Sequence, residues 1–68
     1  MDTYYVSKKA QENGDHEVHK KDCSFLPDRE NRIYLGEFTR CEYAVKEAKK
    51  TYNQVNGCYY CCNDCHTT

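Results

Sequence analysis

Residues 57–66 read GCYYCCNDCH, placing four cysteines and a histidine in ten positions. They form two successive C-x-x-C units, Cys58 with Cys61 and Cys62 with Cys65. A two-residue spacer lets two thiolates of one tight turn converge on a single tetrahedral ion at Zn–S distances of about 2.3 Å, while turn amides donate to the sulfurs. One such unit supplies half a site. The other half is offered by His19 and Cys23, an H-x3-C pair separated from Cys58 by thirty-four residues. His19, Cys23, Cys58 and Cys61 therefore make a candidate Cys3His zinc site, with Cys62 and Cys65 as the alternative C-terminal pair.

The same residues suit two other chemistries. Six cysteines can form a disulfide framework, in which adjacent Cys61 and Cys62 would each need a distant partner, because neighbours pair only with strain. A thiolate nucleophile for redox exchange or alkyl acceptance could instead use Cys62 and Cys65, or a zinc-activated sulfur. Such a thiolate needs a lowered pKa. The cluster follows a predicted helix C-terminus, whose dipole disfavours an anion, so only a metal would activate it there.

The elements that must position these side chains are short. YYVSK (4–8) and HEVH (16–19) alternate and flank a polar stretch with the turn dipeptide Asn13-Gly14, predicting a β-hairpin. On its second strand Val18 shares a face with His16, while His19 falls on the other at the strand's end. A loop anchored by Phe25 and Leu26 and broken by Pro27 follows, then a third strand, RIYL (32–35), ended by Gly36. A helix is expected from about 40 to 53. Thr39 and Glu42 match a capping box, and Cys41, Ala44, Val45, Ala48, Tyr52 and Val55 follow helical spacing. Asn56-Gly57 supplies the stop.

At 68 residues with nine large aliphatic or Phe positions and seven tyrosines, the chain is read as a single cysteine-rich domain, 1–68, of small α+β class. A core of this size rarely supplies more than about 3 to 5 kcal/mol, so a metal or disulfide staple is expected. Net charge of -1 with 13% aromatics fits a folded chain. It gives no general electrostatic footprint for nucleic acid, which leaves that partner open only through a local patch. The start MDTYYVSKK has no signal-peptide core, and no run reaches the roughly eighteen apolar residues of a membrane span. The expectation is a cytoplasmic monomer with no membrane association. In that reducing compartment clustered cysteines are more often metal ligands or redox groups than disulfides.

The order YYVSKK…HEVHKKDC…ENRIYLGEFTRCEYAVKEA…GCYYC resembles the small zinc-binding domain of the Ada-type alkyl-DNA repair proteins over roughly residues 4–65. The resemblance implies zinc ligands at His19, Cys23 and one C-x-x-C unit. In the repair domain the first ligand is a cysteine whose thiolate accepts a methyl group from a DNA phosphotriester. Here that position is His19, and imidazole lacks this reactivity. Gly57 abuts Cys58 where the family places its glycine several residues earlier. Cys58 and Cys61 follow the helix stop most directly, whereas Cys62 and Cys65 fit the glycine offset nearly as well.

Simpler roles are available to several of these residues. Cys41 lies on the helix stripe as a small core residue. His16 and His66 read as solvated, with His66 a spare ligand beside Cys65. Tyr59 and Tyr60 cover the knuckle or, with a groove built from Lys8-Lys9, Lys20-Lys21 and Lys49-Lys50, stack on a base. The favoured reading is a structural-zinc interaction module acting on an undetermined macromolecular partner, with no catalytic residues assigned.

Overall fold

Alternating side chains near the N-terminus form the hairpin in the computed structural model, which describes residues 1–67. Strand β1 (Asp2–Ser7) pairs antiparallel with β2 (His16–Lys20), setting Tyr4 against Lys20, Tyr5 against His19 and Val6 against Val18. Strand β3 (Arg32–Phe38) pairs antiparallel with the other edge of β1. Among the described residues there is one α-helix, α1 (Cys41–Ala48), and a fourth strand, β4 (Val55–Gly57), completes the sheet order β3-β1-β2-β4. The class is small α+β, a four-stranded sheet with one helix and a cysteine-rich C-terminal region.

The core is Tyr4, Val6, Val18, Ala44, Ala48 and Cys62, with Ile33, Leu35, Phe38 and Val45 packed against it. Alternation puts Tyr4, Val6 and Val18 on the face covered by α1, and Tyr5 and His19 on the opposite face. The alanines of α1 allow its backbone to approach the sheet closely. Among the described residues no helix is long and apolar enough to cross a membrane.

Three expectations are corrected. Gly36 does not end the third strand, which runs on to Phe38. The pairing shifts between Tyr4, opposite Gly36, and Tyr5, opposite Tyr34, so Leu35 is the extra residue of a bulge. Gly36 takes φ of 130° there, a conformation that glycine adopts without a Cβ penalty. The helix is eight residues long rather than spanning 40–53. Its N-cap is Arg40, extended at φ −143° and ψ 148° and without a side-chain cap bond, so the Thr39 box does not form. Glu42 instead takes the Arg40 guanidinium at 3.0 Å.

Past Ala48 the helix unwinds through tight turns, Lys50 N–H to Glu47 C=O and Thr51 N–H to Ala48 C=O. That frees Tyr52 to stack on His16, with ring centroids 3.7 Å apart. It also lets Val55 enter β4, parallel to β2 with His16 opposite Val55 and Val18 opposite Gly57.

Candidate metal centre

Strand β4 builds the site. Its parallel register seats Gly57 beside Val18, and the next amide, Cys58 N–H, continues the ladder to the Val18 carbonyl at 2.9 Å. Cys58 is thereby delivered next to His19. A turn closed by Cys62 N–H to Cys58 C=O at 2.9 Å brings Cys61 round. A second turn, Cys23 N–H to Lys20 C=O at 3.1 Å, folds Cys23 back over the end of β2. Gly57 is required because the knuckle lies directly on it. A Cβ there would stand 2.7 Å from the Cys62 carbonyl oxygen and 2.7 Å from the Cys65 Cβ.

The donor atoms of His19, Cys23, Cys58 and Cys61 all lie within 4.8 Å of one another. Cys23 Sγ is 3.6 Å from His19 Nδ1 and 3.9 Å from Cys58 Sγ. A tetrahedral ion with Zn–S of about 2.3 Å and Zn–N of about 2.0 to 2.1 Å requires edges of about 3.6 Å for S–N and about 3.8 Å for S–S. These two edges therefore match a four-coordinate metal of zinc's size. His19 and Cys58 are buried, and Cys23 and Cys61 are half-buried, so such an ion would be largely shielded from water.

The surroundings complete the arrangement. The Lys20 backbone N–H donates to Cys61 Sγ at 3.3 Å, a contact that stabilises a thiolate. Glu17, on the same strand face two residues earlier, places Oε1 3.5 Å from His19 Nε2. A carboxylate there would orient the ring and leave Nδ1, which faces Cys23, available to a metal. Burial lowers the His19 pKa from its ordinary value, which favours the neutral imidazole that metals bind. Burial is also the largest cause of the strong upward shift at Cys61, reinforced by Cys23 and opposed by the Lys20 amide. A bound dication reverses that balance by stabilising the thiolate directly.

The other expected site residues lie elsewhere. Cys62 is a core residue, 3% exposed, and Cys65 forms a disulfide with Cys41, so the alternative pair is not in the four-residue group. Cys41 is half-buried and bridged rather than a free core thiol. His16 is half-buried rather than freely solvated; its Nδ1–H donates to the Ser7 carbonyl at 2.9 Å beneath Tyr52. His66 donates to the Gly57 carbonyl at 3.0 Å and meets the Tyr59 ring edge-on. Tyr59 and Tyr60 are largely exposed, and Phe25 stacks on Tyr60 at 4.4 Å. Reading the sequence alone missed Glu17; its place two residues before His19 on a strand was the available signal.

No family model, curated protein or solved structure matches this chain.

Proposed function

We propose that the chain is a structural-zinc interaction module rather than an enzyme, with His19, Cys23, Cys58 and Cys61 as the ligands. The observation that carries this reading is the convergence of one imidazole and three sulfurs within 4.8 Å from segments far apart in the chain. Three soft thiolates and an imidazole in a closed set, two of them buried and two half-buried, favour zinc over harder cations. All four corners are filled by protein, which fits a structural rather than a catalytic metal.

Energetics support the same reading. The fully buried side chains larger than alanine are few, Tyr4, Val6, Val18 and Cys58 among them. Structural zinc contributes about 10 to 16 kcal/mol in finger peptides, enough to decide whether such a chain folds. The resemblance to the Ada-type domain adds a likeness of ligand order. With imidazole at its nucleophile position, alkyl acceptance is not part of this proposal. The proposed role is presentation of a surface to a macromolecular partner by a cytoplasmic monomer. The exposed aromatics Phe25, Tyr59 and Tyr60 offer contact area, and a net charge of -1 makes nucleic acid the weaker choice of partner.

A second reading, a disulfide-stapled domain, is favoured by the Cys41–Cys65 bridge. It applies to the other end of the knuckle and coexists with the metal. The test is chelation of the purified protein followed by NMR or circular dichroism. Loss of the folded spectrum and its return with one equivalent of zinc is expected, and an unchanged spectrum rejects a structural ion.

A further inference from the structure

The Cys41–Cys65 disulfide joins the first residue of α1 to the end of the short 3-10 turn Asn63–Cys65. Both of its cysteines line a cleft of about 420 Å³ whose wall also includes Cys61, Cys62, Lys20 and Arg40. Cys62 Sγ lies 3.9 Å from Cys61 Sγ. The Cys65 N–H donates to the Cys62 carbonyl at 2.9 Å, closing a turn that keeps the two α-carbons within about 7 Å. Four cysteines thus line one cleft, but Cys41 and Cys65 are bonded to each other and offer no thiolate.

We propose that reduction of this disulfide opens a second metal site, in which Cys41, Cys62 and Cys65 hold a thiophilic divalent cation and Cys61 bridges it to the first. The inference rests on the zinc reading of the His19 site. The chemistry balances with a dithiol as reductant. It delivers two electrons and two protons, Cys41 and Cys65 become thiols, and the dithiol leaves as its own disulfide. The thiols of Cys41, Cys62 and Cys65 then each release a proton as the cation binds.

Geometry supplies the shared corner. The Cys61–Cys62 separation of 3.9 Å is close to the S–S edge of about 3.8 Å in a tetrahedral thiolate site, so these consecutive residues present two sulfurs to one coordination shell. Cys61 also belongs to the His19 group, and a thiolate has lone pairs enough for two metals. Two dications with six thiolates keep a net negative charge. Lys20 and Arg40 stand on the cleft wall, held by contacts to Asp2 at 3.7 Å and Glu42 at 3.0 Å. Such exposed pairs are weak, which leaves both cations able to turn toward the cluster. A reducing compartment is where this second state would be populated.

Native mass spectrometry of the zinc-loaded protein tests this directly. One sample is air-oxidised; the other is reduced with dithiothreitol and desalted without oxygen, and the denatured mass confirms each redox state. The expected result is one ion in the oxidised protein and two in the reduced protein. Cys62→Ser and the half-buried Cys41→Ser are each expected to stay at one ion under both conditions. The count in the oxidised protein reports the His19 site, so no ion there defeats the underlying zinc reading. An unchanged count on reduction, or a gain that persists in Cys41→Ser, overturns the second site alone.

Discussion

Glu17 reaches His19 along one strand face, its carboxylate 3.5 Å from the ring nitrogen that does not face Cys23. The contact favours Nδ1, the nitrogen facing Cys23, as the one left for a metal. Outer contacts of this kind typically contribute 10- to 100-fold in metal affinity, on the order of one to two decades. Glu17→Ala is therefore expected to weaken zinc binding by about 10- to 100-fold with the ligand set intact. Competition against a chromogenic chelator measures it; an unaltered affinity shows that the carboxylate does not orient the ring.

Gly57→Ala introduces a methyl group where the Cys62 carbonyl and the Cys65 Cβ already stand at 2.7 Å. Both are backbone or near-backbone atoms, so the knuckle must lift. Overpacking of this kind costs about 1 to 3 kcal/mol. The lift also separates Cys58 from Cys61, so thermal stability and zinc affinity should fall together. A variant that melts like the parent contradicts the close packing.

Alkylation should read out the ligand set. With zinc bound, Cys23, Cys58 and Cys61 are expected to resist iodoacetamide, and chelator should expose all three to labelling. Peptide mapping assigns each site. Rapid modification of Cys58 in the zinc-loaded protein would remove it from the coordination shell.

Zinc binding should weaken as the pH falls. Burial raises the Cys61 thiol well above its ordinary value, so in the absence of a cation this sulfur keeps its proton, and binding must release it. Protons therefore compete with the metal, and apparent affinity should climb steadily with pH. Burial lowers the His19 pKa, so the imidazole is already neutral near pH 7 and adds to the competition only in acid. Titrations across pH 5.5 to 8 follow the slope. A flat profile would exclude thiolate ligation.

The hairpin was legible because alternation over YYVSK and HEVH needs no distant information, and the convergence of His19, Cys23, Cys58 and Cys61 was legible because H-x3-C and C-x-x-C carry their geometry in their spacing. Strand β4 was not. Val55, Asn56 and Gly57 form three residues of parallel pairing with a partner far back in the chain, and Val55 continued the helical stripe well enough to be absorbed into it. The helix end was obscured for the same reason, since Tyr52 keeps helical spacing from Ala48 while stacking on His16. Nor does local pattern disclose the Cys41–Cys65 bridge, because pairing among six cysteines depends on which elements meet.

The parallel seam between β2 and β4 joins an early segment of the chain to a late one. A chain leaving the ribosome emerges with its N-terminal part first, so His19 and Cys23 are in the open well before the segment carrying Cys58 and Cys61 follows. Until that segment docks along His16–Val18, an ion held there would have only half of the proposed ligands, and the β1–β2 hairpin alone is marginal in water. Completion of the proposed site thus waits on β4, whose docking beside β2 brings Cys58 to His19.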